Sequence, residues 1–456
     1  MSDLVRRVLA IGDARSETIL AIFALLGLAL SQDLSTAPAA IIMLIGAALA
    51  FANPPAALGA VMMAAPFIFR PVHIGAREFT LLELALLALA AGLAGRLVID
   101  AVLDRSIAQV LDLFMPLSVV IGAMLLILVA LISVAAMPDA EFRDASTRSL
   151  RTVILEPLVV IAALRWTMRK NRIVVPLGAL AVAILVCTVW GLEQVVTGSG
   201  VAADGVHRAT GPYSHPNNLS FFLERSTLLV AIPALLSERW RRIGVIVAGV
   251  GIAGVLATVS RGALIGLPVG IVLALWLTGR LRAITTVIAG FVALAGALAV
   301  FAGDRLFDAG GEGSEPSRIL IWRAALRMVR DFPFSGIGLD QFYIMYGTRY
   351  ISPAGWPERY TSHPHNILLD MWLSLGVAGV ALLIVAVAWM GYRLLRLLRI
   401  DVGSRSVLAI AGAAALAAGL VHGLVDNAFF LADLAVLTWF SLTLLAGEHH
   451  SGEGIQ

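Results

Sequence analysis

The sequence predicts an all-α, multi-pass membrane protein, and three observations carry that prediction. The 456 residues are 59% hydrophobic and only 14% charged, whereas soluble domains carry about 25% charged residues. The mean hydropathy is +0.92. Apolar stretches near 20 residues long recur from end to end, each able to cross roughly 30 Å of hydrocarbon as a helix. With no water in that layer, backbone groups must pair within their own segment, and helices do so.

Fourteen candidate spans begin near residues 17, 36, 55, 80, 115, 152, 173, 219, 242, 262, 283, 367, 407 and 429. The first lacks an A-x-A cleavage site after it and reads as a retained span. The second and third are short and broken by Asn53, Pro54 and Pro55, so they also read as one re-entrant hairpin, and the count is 12–14. Residues 1–200 form an N-terminal transmembrane bundle. Residues 201–456 form a second membrane region, with one long loop at 303–366 between the eleventh and twelfth spans.

More than half of the 33 basic residues fall in alternate short loops or span ends, including Arg6, Arg7, Arg96, the 165–172 segment, Arg239 to Arg242, and Arg393 to Arg405. The positive-inside rule then sets the N-terminus in the cytoplasm and the 303–366 loop on the periplasmic or outer side. The single cysteine, Cys187, lies mid-span, which excludes disulfides and thiolate metal sites. The net charge of +3 comes from arginines scattered over short loops, which points away from nucleic acid.

Polar residues gather on the outward side. The stretch 206–226 offers Arg208, His215, Asn217 and Asn218 in a Gly/Pro-punctuated loop, then Glu224 and Arg225 inside a span; an ordinary loop capped at Asn218 is the plainer reading. Arg261 stands in a tight turn between two apolar helices, where an arginine either snorkels to lipid phosphate or binds an anion. Ser260 before it is a candidate N-cap. Between Pro316 and Pro333 a basic amphipathic helix is expected, with Ile319, Trp322, Leu326 and Val329 on the apolar face, lying on the membrane surface or packed on the bundle.

That loop ends in "HPHN", where His363 and His365 flank Pro364 and cannot share one helix face. A metal is disfavoured because no carboxylate or thiolate is near in sequence to complete a shell. Imidazole is a proton acceptor near pH 7, and Asp370 one turn on is a candidate to orient it. His422 and Asp426, spaced i,i+4 in an apolar span, are expected to pair with each other. Glu83 and Glu156 have no assigned role.

These residues resemble the O-antigen ligase and polymerase superfamily of bacterial membrane glycosyltransferases. The signature His-Asn, nine residues, Gly, two residues, Gly falls on His365, Asn366, Gly376 and Gly379. The "SRGALIGL" turn, the "R…GPYSHPNNLS" loop and a long-loop pattern on Trp322, Ala325, Pro333, Gly336, Gly338 and Phe342 are similar too. The resemblance covers roughly residues 200–430 and implies a GT-C-like enzyme of the inner membrane with its site on the periplasmic face. Its donor would be a glycan on undecaprenyl diphosphate, its acceptor lipid A–core or a second lipid-linked glycan, and its chemistry inverting, with no metal or other cofactor. Carried over, Arg208 and Arg261 would hold the diphosphate and His365 would be the base, with Arg318, His363, His215, Asn217 and Asn366 binding substrate or positioning the loop. Pro364 leaves open which imidazole faces the substrate; the signature falls on His365. Ligase and polymerase share the donor site, and the intact signature favours the ligase. A transporter is the other class, disfavoured by the absence of a repeat of broken spans between the two halves.

Overall fold

The computed structural model describes residues 36–69, 71–74, 77–102, 117–138, 140–203, 206–286, 288–290, 314–402 and 406–447. The expected span near residue 17, the distal part of the span near 283, the start of the long loop and the tail lie outside them. The architecture is that of an all-α, multi-pass membrane protein. Among the described residues, five helices are long and apolar enough to cross a bilayer by length and composition.

Helices α1 (Thr36–Ala52) and α2 (Pro54–Ala64) are separated at Asn53, whose side chain accepts the Ala56 amide at 3.3 Å. The Asn-Pro-Pro sequence therefore ends one helix and caps the next. A hairpin of β1 (Pro71–Ile74) and β2 (Arg77–Thr80) leads into α3 (Leu81–Val102). Glu83 starts that helix in a capping box, since its amide bonds Thr80 Oγ1 at 3.1 Å and its carboxylate accepts the Thr80 amide.

After α4 (Leu117–Ala136), the expected span near 152 is broken into α5 (Arg143–Ser149), a π turn over Leu150–Leu155, a 3-10 turn and α6 (Val159–Arg169). Arg151 sits on the π turn and reaches Glu83 and Glu156 at 2.7 Å each. The two carboxylates without an assigned role thus share one guanidinium, which lets charged groups persist in an apolar bundle.

The bundle continues with α7 (Val174–Thr197), a hairpin of β3 (Val201–Ala203) and β4 (Val206–Arg208), then α8 (Pro216–Leu236), α9 (Arg241–Ala257) and α10 (Arg261–Leu277). Helix α8 is central, with buried residues on every face from Pro216 to Pro233. Its Arg225 donates to the carbonyl of Ala428 at 2.7 Å and to Thr438 Oγ1 at 3.2 Å, which gives the two terminal nitrogens of a buried cation partners. One continuous apolar core draws on residues before and after residue 200.

The long loop carries α11 (Ser314–Asp331), and three further helices close the bundle: α12 (Ile367–Leu398), α13 (Val407–Gly423) and α14 (Ala432–Ala446). The apolar face expected for α11 is rotated. Ile321, Ala324, Ala325 and Met328 are buried against Phe342, Tyr346 and Leu373, while Ile319 and Leu326 are 48% and 56% exposed. Two alanines let α11 sit close to its neighbours, and the period-3.6 pattern fits either face.

Helix α12 is kinked at Gly376 (φ 69°, ψ −167°), and the loop at 333–338 docks into the break. Val377 donates to Pro333 at 3.2 Å instead of to Leu373, whose carbonyl accepts Ile337 N–H at 2.7 Å. The Ser374 carbonyl accepts Ser133 Oγ at 2.6 Å. These three groups released by the kink thereby regain partners, which burial in lipid favours. The signature glycine has a physical reason: a Cβ on Gly376 would lie 1.8 Å from the Phe334 oxygen, and one on Gly336 2.3 Å from the Leu373 oxygen.

Candidate active site

Four segments meet at one end of the bundle: β4 with the loop that follows it, the α9–α10 turn, residues 361–367 before α12, and residues 424–431 between α13 and α14. Gln194 on α7 fixes the first by bonding the amides of Thr210 and Gly211 at 2.9 and 2.8 Å. Ala209 N–H bonds the Ala257 carbonyl at 2.9 Å, which ties this loop to the α9–α10 turn.

A chain of hydrogen bonds crosses all four. Arg208 donates through Nε to the Thr258 carbonyl at 2.8 Å and through a terminal nitrogen to Asn217 Oδ1 at 3.0 Å. The Asn217 amide nitrogen donates to Asp426 Oδ2. Asp426 Oδ1 receives the Asn427 amide at 2.8 Å and the Nδ1 of His365 at 3.0 Å. His363 stands beside it, its Nε2 3.6 Å from the same oxygen and its ring 4.3 Å from that of His365, edge-on.

These partners assign the protons. The Asp426 carboxyl is held well below its ordinary range; burial would raise it, but His365, through its charge when protonated and its hydrogen bond, outweighs burial, with His363 and His422 adding to it in their protonated forms. An ionised carboxylate only accepts, so His365 Nδ1 carries the hydrogen. The lone pair is then on Nε2, which has no protein partner among the described residues. His363 differs, because its Nδ1 accepts the His365 backbone N–H at 3.3 Å and its Nε2 faces Asp426. Burial, and then the His365 charge, push His363 down to about 3, so it is neutral near pH 7. Of the two imidazoles, His365 is the one with an unengaged basic nitrogen.

The remaining expected residues fall around this network. His215 caps α8, its Nδ1 accepting Asn217 N–H at 3.2 Å, and is pushed down by burial, with Arg208, His365 and Arg318 adding to that and Asp426 opposing it. Arg318 bears electrostatically on both His215 and His363. Arg261 is half-buried at the start of α10, three residues from the carbonyl that Arg208 holds. Asn366 caps α12, accepting the amides of Leu368 and Leu369 at 3.0 and 3.1 Å, and donates to the Leu424 carbonyl at 2.8 Å. Its side chain ties two loops together.

Several expectations are corrected. Ser260 makes no side-chain cap on α10; its Oγ lies 3.4 Å from His422 Nε2. His422 does not pair with Asp426: its Nδ1 meets Glu224 at 3.1 Å, and its ring stacks on Phe221 at 3.5 Å. The carboxylate that orients His365 is Asp426, not Asp370. The ground on which a metal was disfavoured also falls, since Asp426 arrives from 61 residues away and one ligand atom each of His363, His365 and Asp426 lie within 4.8 Å of one another, a set that suits a divalent ion.

Backbone strain collects here too. Of the four described non-glycine residues with positive φ, Val259 (49°), Asp340 (58°) and His365 (50°) border this region. Such conformations persist where the surroundings enforce them, often at sites of function. Beside the imidazoles lies a cavity of about 530 Å³, lined by His215, His363 and His365 and also by Asp340, Asp370 and Ser374.

Fold and site thus describe a membrane protein with an oriented imidazole and arginines at one end of its helical bundle. Residues 244–384 match the family model of the O-antigen ligase, which bears out the resemblance read in the sequence. That stretch includes Arg261, Arg318, His363 and His365, while Arg208 and Asp426 lie on either side of it. No curated protein matches the chain.

Proposed function

We propose that the protein is an inverting, metal-independent glycosyltransferase that moves a glycan from undecaprenyl diphosphate to an acceptor hydroxyl at the outer face of the bacterial inner membrane. Lipid A–core is the simplest acceptor, which makes the enzyme an O-antigen ligase. Twelve to fourteen spans and a periplasmic loop at 303–366 complete this reading, with the N-terminal bundle over 1–200 as scaffold. The observation that carries it is the hydrogen-bonded chain from the α9–α10 turn through Arg208, Asn217 and Asp426 to His365.

In this mechanism His365 Nε2 takes the proton of the acceptor hydroxyl as its oxygen attacks the anomeric carbon. The new bond forms as the bond from that carbon to the diphosphate oxygen breaks, and the electron pair leaves with the diphosphate. Arg208 and Arg261 hold that anion, since guanidinium matches phosphate oxygens bidentately and stays charged. Asp426 keeps Nδ1 protonated and stabilises the imidazolium that forms, the division of labour of an oriented imidazole.

Purified protein incubated with undecaprenyl-diphosphate glycan, with and without lipid A–core, tests the reading. A single transfer that needs the second lipid is expected and supports the ligase; a ladder from donor alone indicates the polymerase. No transfer under either condition would overturn both. Chelator should leave the rate unchanged, and a loss that added zinc or magnesium restores would replace the arginines by an ion at His363, His365 and Asp426.

A further inference from the structure

The cavity beside His365 is lined by two unlike sets of polar side chains. Its cationic-capable lining residues are His215, His363 and His365, and neither Arg208, Arg261 nor Arg318 is among the residues that line it. The lining also carries three carboxyl side chains, Asp340, Asp370 and Glu358, and hydroxyls from Ser149 and Ser374. Phe69, Phe342, Tyr360 and Phe430 add aromatic surface. Aromatic faces beside hydrogen-bond acceptors suit a sugar ring, which offers C–H faces and hydroxyl donors.

Among the residues that line the cavity, Asp370 is the one with a buried polar side-chain atom left without a partner. It is 4% exposed, and its Oδ2 has no hydrogen-bond partner among the described residues. Burial of an unmet carboxylate oxygen costs free energy that a fold avoids unless something fills the vacancy. With Leu373 and Ser374 it forms the one face of α12 turned to the cavity (spacing i, i+3, i+4). Asp340 lies within electrostatic reach of it, in the strained left-handed conformation already noted.

We infer that this carboxyl-bearing part of the lining is the acceptor subsite, and that Asp370, assisted by Asp340, hydrogen-bonds hydroxyl groups of an uncharged acceptor sugar and rejects phosphorylated or acidic ones. The inference rests on the proposed transfer reaction. The acceptor, not the donor sugar, is assigned here for a geometric reason. In an inverting displacement the attacking hydroxyl and the leaving diphosphate stand on opposite sides of the anomeric carbon. The base that must touch the hydroxyl lines this cavity, and the guanidinium groups that would hold the diphosphate do not.

The test uses full-length protein in nanodiscs and two matched lipid-linked acceptors, one ending in a neutral hexose and one in the same hexose bearing a phosphate. Wild type should use the neutral acceptor with a kcat/KM at least about tenfold higher, the scale of a charge-assisted hydrogen bond lost or a like charge imposed. Asp370→Asn should raise acceptor KM about tenfold or more, leave donor KM unchanged, and narrow the gap between the acceptors. Asp340→Asn, where asparagine tolerates positive φ, should shift the same preference more weakly and keeps the test open if the first variant misfolds. Unchanged acceptor KM in both variants, a rise in donor KM instead, or equal use of the two acceptors by wild type would overturn the inference. Absence of any transfer by wild type would overturn the reaction itself, a separate outcome.

Discussion

Asp426→Asn is the substitution that separates an oriented base from a merely nearby histidine. The carboxylate accepts three hydrogen bonds, from His365 Nδ1 at 3.0 Å, from Asn427 N–H at 2.8 Å and from the Asn217 side chain. An amide of the same shape has only one oxygen. If that oxygen stays on the His365 side, its NH₂ confronts the Asn217 donor; if it turns, the NH₂ faces Nδ1 and forces the proton to Nε2, where the lone pair is needed. Either arrangement removes a charge-assisted bond worth about 1.5–3 kcal/mol and leaves the developing imidazolium without its counter-ion. Since general-base catalysis contributes about 10²–10⁴ in rate, equal to roughly 3–5 kcal/mol of barrier, kcat should fall by that factor. Neither guanidinium is substituted, and Arg208 keeps its Nε bond to the Thr258 carbonyl, so donor KM should stay within about threefold. Single-turnover transfer from lipid-linked donor in nanodiscs measures both, with a thermal melt to confirm folding. A folded variant whose kcat lies within tenfold of wild type, or whose loss falls wholly in donor KM, would refute the assignment.

Arg261→Ala and Arg208→Ala should each abolish transfer while the protein stays folded and the donor pool intact; unchanged transfer in either removes that arginine from the mechanism. Gly376→Ala should destabilise the protein by more than about 2 kcal/mol, since its Cβ would lie 1.8 Å from the Phe334 oxygen at a positive φ; detergent melts check it, and a melting temperature equal to wild type would show that the loop does not need the kink. The folded-state depression of His363 to about 3 sets a pH dependence. The unfolded chain binds more protons between pH 3 and 6.5, so this contribution is full above 6.5 and declines on acidification, by up to about 1.4 kcal/mol per unit. Protection factors of the amides within 361–366, corrected for the intrinsic pH dependence of exchange, should therefore fall from pH 7 to 5 in wild type and change less in His363→Gln; identical profiles would contradict it.

Helix positions and the signature motifs were legible because span length and glycine placement are local properties. The break at Asn53 follows the same logic, whereas the break in the 143–169 region, where one span is expected, does not. Side-chain partners were another matter. His422 and Asp426 are i,i+4 in sequence, yet the chain turns out of its helix after Gly423, so Asp426 faces residues 217 and 365 while His422 meets Glu224. Nothing local distinguishes those outcomes, because both replace one buried charge partner with another. The α11 face misled for a related reason: an apolar stripe at a membrane boundary loses little by facing outward, so hydrophobicity does not say which side packs. Asp370 and Asp340 drew no acceptor role from the sequence, since their meaning lies in the cavity that they share.

The most direct measurement is a cryo-EM structure of the protein with undecaprenyl diphosphate bound in nanodiscs. The account predicts phosphate density within hydrogen-bond distance of the guanidinium groups of Arg208 and Arg261, with His365 Nε2 on the opposite side of the position the anomeric carbon would take. A diphosphate seated against Asp340 and Asp370, or coordinated through an ion to His363, His365 and Asp426, would contradict it.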